Sequence, residues 1–318
     1  MEIDKRDILP VSLPRGGGGA EYVMYLPYRQ TDFIQKIIAN TGKPYEIEML
    51  EDMLQRTKEN DLILDIGTNI GNHAICLAAN GRKVCGFEAN PKMFELAQVN
   101  VALNQLQNRV QIHCCGISDK EERAAFDAEI PSNFGAMRLQ QIQDGGIICH
   151  RLDDFNFNEP IAMIKIDIEG MEDKALRGAK NLIDKNRPIL YLEAQKLDEF
   201  KRIDRIMLEM DYVHCKIFGG ALTHLYIPKE KAENHDLSKA ICIIAEDSQN
   251  QKNLLYKFYT LQRHDESIAM FGSERRSTIL PYLPSYLAAL LCARRYYRHW
   301  RNDVRIFLYI ISFGIVQR

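Results

Sequence analysis

Four charged side chains combine residue types and a spacing that could do chemistry. Lys165, Asp167 and Glu169 alternate with isoleucines from residue 164 onward, and Glu193 follows another apolar run, residues 188–192. Carboxylates can act as general bases, and they can also hold a divalent cation such as Mg²⁺ through their oxygens. Alternation with period two is also typical of a half-exposed strand. Because burying unpaired charge is costly, we predict that these four residues form a catalytic cluster.

A glycine-containing turn precedes this cluster in the chain. An apolar run, residues 62–64, leads into the sequence DIGTNIG, residues 65–71. Glycine lets a ligand approach bare backbone, and a following helix start would point N–H groups at that ligand. A dinucleotide-binding turn requires G-x-G-x-x-G, whereas Gly67 and Gly71 are separated by three residues. The spacing therefore favours a nucleoside ligand without a pyrophosphate and argues against an NAD-dependent oxidoreductase, which is the alternative enzyme.

Strand and helix patterns alternate from residue 61 onward. Strands are predicted at 62–66, 83–87, 110–114, 161–166 and 188–192, helices at 71–79, 91–104, 171–183 and 200–210, and a hairpin at 212–217 and 222–227. Buried apolar strands separated by helices indicate a mostly parallel sheet covered on both faces, an α/β fold. Ligands of such sheets bind at the carboxyl ends of the strands. Asp65, Glu88, Asp167 and Glu193 all fall at predicted strand ends.

Five motifs occur in one order and together resemble the FkbM family of methyltransferases. They are DIGTNIG at 65–71, FEANP at 87–91, HRLDDF at 150–155, IKIDIEGME at 164–172 and LRGA at 176–179. Thr68 departs from the small residue usual in that family. The resemblance covers residues 60–195 well and 20–245 loosely. It implies a Rossmann-like fold with a seven-stranded sheet and a C-terminal hairpin. It also implies S-adenosylmethionine-dependent O-methylation, with a sugar or glycan hydroxyl as the expected acceptor.

The resemblance also implies where S-adenosylmethionine binds. The turn would border its methionine part, and the carboxylate of Glu88 would accept hydrogen bonds from both ribose hydroxyls, since it offers two acceptor oxygens. The segment 115–119 would pack against adenine. The cofactor-binding residues implied in this way are Asp65, Gly67, Asn69, Gly71, Glu88, Ile117 and Ser118.

Several other assignments stay open at this level. Asp167, Glu169 and Glu193 are the candidate bases, and we expect metal-independent catalysis, although a divalent metal on the same carboxylates is an alternative. Tyr45 and Glu46 could close over the ligand or simply start a helix. His73, His113 and His150 have the chemistry of a base, but a lone histidine is more often structural. The alternative to an enzyme is a non-catalytic, methyltransferase-like adaptor that is targeted to a membrane.

Charge and composition suggest three parts. Residues 251–318 contain 11 Lys+Arg and 4 Asp+Glu, so this segment is basic. The preceding 250 residues contain 30 Lys+Arg and 39 Asp+Glu and are acidic. We predict an N-terminal helical or lid segment at 1–60, entered through a mobile stretch over 1–20 with a short strand at 22–26. A methyltransferase domain is predicted at 61–246 and a basic helical extension at 247–318. The last apolar run, residues 306–316, is shorter than the ~20 residues of a spanning helix.

Partners and compartment follow from the same composition. The basic, aromatic segment 280–318 predicts peripheral contact with an anionic membrane surface, and nucleic acid is an unlikely partner. The start of the sequence does not resemble a secretory signal, and the eight cysteines form no CxxC pair. We therefore expect a cytoplasmic protein without structural zinc. The oligomeric state stays open.

Overall fold

The computed structural model describes residues 3–13, 20–219 and 222–232. These residues belong to the first of two compact units, Met1–Glu233. The predicted basic extension and its membrane-contacting segment, residues 280–318, lie outside the described residues. Within the described part of the chain, no helix combines the length and the apolar character required to cross a membrane.

Strands and helices are numbered in chain order. The strands are β1 Ile8–Ser12, β2 Glu21–Tyr25, β3 Leu62–Ile66, β4 Lys83–Phe87, β5 Val110–His113, β6 Gly116–Ile117, β7 Glu122–Phe126, β8 Leu139–Gln141, β9 Ile147–His150, β10 Ile161–Ile166, β11 Ile189–Glu193, β12 Tyr212–Phe218 and β13 Thr223–Pro228. The helices are α1 Phe33–Thr41, α2 Ile47–Arg56, α3 Asn72–Ala79, α4 Pro91–Leu103, α5 Glu172–Gly178, α6 Lys180–Asn186 and α7 Leu197–Glu209. Short 3₁₀ turns lie at Lys5–Asp7, Phe134–Ala136 and Leu152–Asp154.

The central sheet has seven strands in the order β12-β13-β11-β10-β3-β4-β5. The pairs from β11 through β10, β3 and β4 to β5 are parallel, and β13 runs antiparallel between β11 and β12. Because β3, β4, β10 and β11 are buried along almost their whole length, both faces must be covered. The predicted Rossmann-like sheet with its C-terminal hairpin is confirmed.

The register of the sheet brings the predicted charged residues together. Lys165 of β10 pairs with Asp65 of β3 on one side and with Tyr191 of β11 on the other. Directly opposed residues on neighbouring strands point to the same face. Two side chains exactly one hundred positions apart in the chain therefore become neighbours.

The N-terminal segment packs on the same core as the sheet. Strands β1 and β2 form an antiparallel pair, so that a strand occupies part of the stretch predicted to be mobile. The side chain of Asn100 on α4 accepts a 2.6 Å hydrogen bond from the Tyr25 N–H, and Asn104 accepts one of 2.9 Å from the Val23 N–H. These two asparagines tie β2 to the helix that follows β4, because they satisfy donors that have no sheet partner.

The region between β5 and β10 holds structure that the sequence patterns do not predict. Strands β6, β9, β7 and β8 form a four-stranded mixed sheet in that order. The predicted helix over 171–183 is also divided, into α5 and α6. Gly178 lies so close to the Ser118 carbonyl that a Cβ there would collide with it, and α5 ends at this glycine. The contact with the small sheet thus coincides with the break in the helix.

Candidate active site

A cavity of about 230 Å³ opens at the carboxyl ends of β3, β4, β10 and β11. This is the edge at which a parallel sheet presents its ligand site. The turn after β3 and Glu88 after β4 line one part of the cavity, and Asp167 and Glu193 after β10 and β11 line another. Side chains from α1 and from the loop before β8 complete the wall, including Ile34 and Phe134.

The turn after β3 requires glycine at two positions. Gly67 has φ +84°, and a Cβ there would collide with the carbonyl oxygen of Asp167. Gly71 has φ +88° and caps the start of α3. Positive φ is accessible to glycine without steric cost. The first glycine therefore allows two strand ends to meet, and the second turns the chain into the helix.

Thr68 fits the turn by using its hydroxyl. It is 2% exposed, and its hydroxyl donates a 2.8 Å hydrogen bond to the Asp65 carbonyl. It lies against Gly86 of β4, where a Cβ would come within 2.5 Å of the Thr68 Oγ1. The departure from the family pattern is accommodated because the neighbouring strand has no side chain at this position.

Glu88 joins the turn to the end of β4. One carboxylate oxygen accepts a 2.7 Å hydrogen bond from the Asn69 N–H, and the other accepts one of 2.7 Å from the Asn90 N–H. Asn69 has φ +52°, a left-handed conformation that asparagine tolerates. Burial raises the pKa of Glu88 to about 7, although both N–H groups favour the charged form. Each oxygen keeps a second lone pair, which could accept from a ligand hydroxyl.

Lys165 is an ammonium group buried between two carboxylates. Its Nζ lies 3.1 Å from Asp167 Oδ2 and 3.5 Å from Asp65 Oδ1, and the lysine is 1% exposed. Burial alone would lower the lysine pKa, but the neighbouring carboxylates outweigh it and raise the pKa. Lys165 therefore stays charged. It also donates a 3.4 Å hydrogen bond to the Gly67 carbonyl, so it holds the turn as well.

The three predicted bases form one acidic cluster. One carboxylate oxygen each of Asp167, Glu169 and Glu193 lies within 4.8 Å of the others. Gln195 donates hydrogen bonds of 2.9 Å to Glu193 and 3.4 Å to Glu169. Such a set of oxygens could hold a divalent cation, but Lys165 already places a positive charge on Asp167.

The pKa values of these carboxyl groups move in different directions. Burial would raise the pKa of Asp167, but the Lys165 ammonium outweighs it and the pKa falls. Burial and the charge of Asp167 raise the pKa of Glu193 well above its usual range. Burial and the same neighbour raise the pKa of Glu169 to about 7. The three carboxyl groups therefore differ: the pKa of Asp167 is lowered, whereas the pKa values of Glu169 and Glu193 are raised.

A second wall comes from the N-terminal segment. Glu46 and His73 line the cavity, and their Oε2 and Nε2 atoms lie 3.1 Å apart. The backbone of Tyr45 is fixed to the start of α3, because the Asn72 amide accepts from its N–H at 2.9 Å and donates to its carbonyl at 3.1 Å. Glu46 itself has φ +58°. Such a conformation in a non-glycine residue persists only when its surroundings hold it.

Helix α1 is tied to the loop that covers the cavity. The carboxylate of Asp32 caps α1 by accepting from the Gln35 N–H at 2.9 Å, and it also accepts from the Phe134 N–H at 3.1 Å. The Phe33 N–H donates to the Ser132 carbonyl at 3.0 Å. Two segments about one hundred residues apart therefore form one side of the cavity.

A family match accompanies this geometry. The family model of the methyltransferase FkbM domain matches residues 65–213, from the glycine turn to strand β12. Residues 65–213 are a methyltransferase FkbM domain. This confirms the family indicated by the ordered motifs.

Two curated relatives match parts of the chain. Hexuronic acid methyltransferase AglP of Haloferax volcanii is 25% identical over 144 residues, which are 43% of this chain and 58% of that protein. Protein-L-isoaspartate O-methyltransferase of Methanospirillum hungatei is 28% identical over 123 residues, 37% of this chain and 56% of that protein. The chain thus spans less than two thirds of the length of either relative. The solved structure of the FkbM methyltransferase from Methylobacillus flagellatus KT has a TM-score of 0.42 and 19% identity, covering 64% of this chain and 62% of that one.

The FkbM domain brings most of the predicted site residues to the cavity. Those that line it are Gly67, Asn69, Glu88, Ile117, Lys165, Asp167, Glu169 and Glu193. Asp65, Gly71 and Ser118 lie outside its lining. Asp65 is paired with Lys165, which does line the cavity, and the Ser118 hydroxyl donates a 2.6 Å hydrogen bond to Glu122. These three residues of the FkbM domain therefore contact or adjoin residues that line the cavity and do not line it themselves.

Sequence reasoning missed part of the wall. Gln195, Asn133 and Phe134 line the cavity, and no motif singles them out. Gln195 could have been inferred from its position two residues after Glu193, at the end of the same strand. The contribution of the 133–137 loop depends on its hydrogen bonds to α1, so no local pattern in the FkbM domain identifies it. His113 and His150 do not line the cavity, whereas His73 does.

Proposed function

We propose that the protein is an S-adenosylmethionine-dependent O-methyltransferase that acts on a hydroxyl of a sugar or glycan. The observation that carries the proposal is a single cavity that joins the Gly67 turn and Glu88 to the acidic cluster at Glu169. The FkbM domain supports methyl transfer. The name of the Haloferax volcanii relative, a hexuronic acid methyltransferase, supports a sugar acceptor.

The residues at the ends of β3 and β4 fit the cofactor. At Gly67 a Cβ would fill the space where bare backbone meets the Asp167 carbonyl, and Glu88 offers two carboxylate oxygens at the cavity wall. Glu88 would accept from the ribose hydroxyls, Gly67 and Asn69 would border the methionine part, and Ile117 would contact adenine. When bound, S-adenosylmethionine supplies a methyl group already activated by the sulfonium.

Glu169 is the general base in this proposal. A base works best when its pKa lies near the working pH, and burial together with Asp167 raises the pKa of Glu169 to about 7. Burial and Asp167 raise the pKa of Glu193 well above its usual range, while Lys165 lowers the pKa of Asp167 and makes it a weaker base. The φ of +57° at Glu169 also marks a strained position of the kind found at functional sites.

Lys165 then acts as a positioning residue. With Asp65 below it and Asp167 beside it, it fixes the negative charge of Asp167, which in turn raises the pKa of Glu169. In this proposal Lys165 supplies the positive charge beside Asp167. Catalysis is therefore proposed to be metal-independent.

The proposed cofactor site is tested by titrating the protein with S-adenosylmethionine in a calorimeter. Glu88→Ala should abolish binding, because the ribose hydroxyls lose their acceptor, and circular dichroism should show that the variant stays folded. Glu95→Ala, an exposed acid on α4, is the control and should bind like the wild type. Unchanged affinity in Glu88→Ala would refute the placement of the ribose.

The proposed base is tested with extracted glycans and S-adenosylmethionine carrying an isotopically labelled methyl group. Mass spectrometry should detect labelled glycan with the wild type. Glu169→Gln should slow labelling by about 10²–10⁴-fold, the range of a general base, while its affinity for S-adenosylmethionine stays within a factor of three. Wild-type rates in this variant would remove Glu169 from the role.

A further inference from the structure

The acidic cluster carries an excess of negative charge at the place where the acceptor must bind. Among the described residues that line the cavity, Lys165 is the only ammonium group. It lies 3.1 Å from Asp167 and 3.5 Å from Asp65, and it is 1% exposed. Its charge is therefore already matched by two carboxylates. Glu169 adds a further carboxylate that Lys165 does not contact.

The other cationic side chains near the cavity do not remove this excess. The Nε2 atom of His73 lies 3.1 Å from Glu46 Oε2, so any positive charge on this imidazole is matched by that carboxylate. Arg138 does not line the cavity and reaches Glu169 only at 4.0 Å, with 38% of its own side chain exposed. Glu169 is 11% exposed by contrast. An ion pair with one solvated partner is weak, so the charge of Glu169 is only partly offset.

The acceptor cannot avoid this charge. A hydroxyl that gives its proton to Glu169 must come within about 2.6–3.2 Å of that carboxylate. An oxygen of Asp167, the carboxyl group whose pKa is lowered, lies within 4.8 Å of the same group. A second substituent on the same sugar ring then lies within about one Debye length of the cluster, roughly 8 Å at physiological salt, and inside a half-buried cavity the screening is weaker still.

We propose that the acceptor site selects neutral or ammonium-bearing sugars and rejects sugars that carry a carboxylate. The selectivity comes from the carboxylates of Asp167 and Glu169, because Lys165 is shared by Asp167 and Asp65 and leaves an excess of negative charge. Carboxylate oxygens accept hydrogen bonds from hydroxyl and ammonium groups, whereas a like charge disfavours binding. The proposal rests on the proposed function and adds the class of acceptor to it. The acceptor thus differs in charge from the hexuronic acid in the name of the Haloferax volcanii relative.

A competition between three matched acceptors tests this selectivity. Methyl glucoside, methyl 2-amino-2-deoxyglucoside and methyl glucuronide share one ring and differ in charge. They are mixed at equal concentration with the full-length protein and S-adenosylmethionine, and the methylated products are quantified by mass spectrometry. Competition reports the ratio of kcat/KM values directly. The neutral and the ammonium-bearing sugars should each be methylated at least tenfold faster than the glucuronide.

Two variants connect the ratio to the wall of the cavity. Glu46→Gln removes one carboxylate from the cavity wall and leaves the His73 imidazole without its 3.1 Å partner. It should lower the preference for glucoside over glucuronide at least threefold. Glu48 lies in the first turn of α2, directly after Glu46, but is exposed, so Glu48→Gln should leave the ratio unchanged. If the ratio of kcat/KM for glucoside over glucuronide stays constant in Glu46→Gln, or changes equally in Glu48→Gln, the cavity wall does not determine the charge selectivity and the inference is overturned.

The remaining outcomes are separated by a titration with S-adenosylmethionine alone. If the protein binds it and methylates the glucuronide as fast as the glucoside, the charge selectivity is wrong but the proposed function stands. If it binds S-adenosylmethionine and methylates none of the three sugars, the acceptor class is wrong. If it does not bind S-adenosylmethionine, the proposed function fails and the inference fails with it.

Discussion

Replacing Lys165 with methionine tests the electrostatic design of the site. Methionine keeps the length and the apolar stem of the side chain but removes the ammonium. Asp65 is then left as a carboxylate that is 1% exposed and whose oxygens accept no other hydrogen bond among the described residues. Asp167 also loses its 3.1 Å partner, although 23% of its side chain remains exposed. Breaking a buried ion pair by removing one partner typically costs about 3–5 kcal/mol.

The destabilisation should depend on pH. In the wild type the lowered pKa of Asp167 contributes stability above the unfolded value of about 3.9, and this stability is lost as the pH falls through the folded value. Without the ammonium, burial is left to raise the pKa of Asp167. The folded variant then binds protons more tightly than the unfolded chain, so its stability declines as the pH rises from 5 to 8. We expect a loss of about 3–5 kcal/mol at pH 8 and a clearly smaller loss at pH 5.

Urea unfolding at the two pH values measures both effects. The control is Lys180→Met, which removes an exposed lysine paired with Asp184, and it should leave stability unchanged at both pH values. The double variant Asp65→Asn/Lys165→Met should recover most of the loss, because it removes the orphaned charge. A loss at pH 8 below about 1 kcal/mol, the range of surface ion pairs, or an equal loss at both pH values, would show that Lys165 is not the buried counter-charge described here.

Three further predictions concern the turn, the titrating glutamates and metal dependence. Gly67→Ala should destabilise the protein by about 2–4 kcal/mol in urea unfolding, because the new side chain strains the left-handed backbone and forces Asp167 to shift. It should also weaken S-adenosylmethionine binding at least tenfold in calorimetry, and wild-type affinity would contradict this. Burial raises the pKa of Glu88, Glu169 and Glu172 to about 7. Their contribution to stability is therefore complete below the unfolded pKa of about 4.3 and is lost as the pH rises through 7. Urea unfolding without ligand at a series of pH values should show this decline, and Glu172→Gln should make the decline of stability with pH less steep. Methyl transfer should continue in EDTA, and activity that returns only with Mg²⁺ would refute metal independence.

Much of the central sheet could be predicted because its signals are local. Strands such as Leu62–Ile66 and Ile161–Ile166 are buried on both faces, so they appear as continuous apolar runs between helices. The start of α4 could also be predicted, since Asn90 caps the helix through its side chain and Pro91 occupies the first helical position. These features depend on neighbours in the sequence and therefore leave a trace in it.

The small sheet between β5 and β10 could not be predicted in this way. Its strands are as short as two residues, and β6 pairs with β9 about thirty positions away. Strand propensity depends strongly on packing against partners, which a short segment does not encode by itself. The break after Gly178 has the same origin, because it lies against the Ser118 backbone from a different part of the chain. The fold of the basic extension stays a prediction.

The sequence by itself determined the charged residues, their positions at strand ends and the glycine turn, because each follows from composition and period along a short stretch. Only the tertiary structure decided how the pKa values of those carboxyl groups differ from one another. The register of β3 against β10 places Lys165 beside Asp65. The Lys165 ammonium outweighs burial and lowers the pKa of Asp167, whereas burial and the charge of Asp167 raise the pKa of Glu193 and raise that of Glu169 to about 7. The physical reason is that a pKa depends on burial and on charges within a few ångströms, and those distances exist only after the chain has folded.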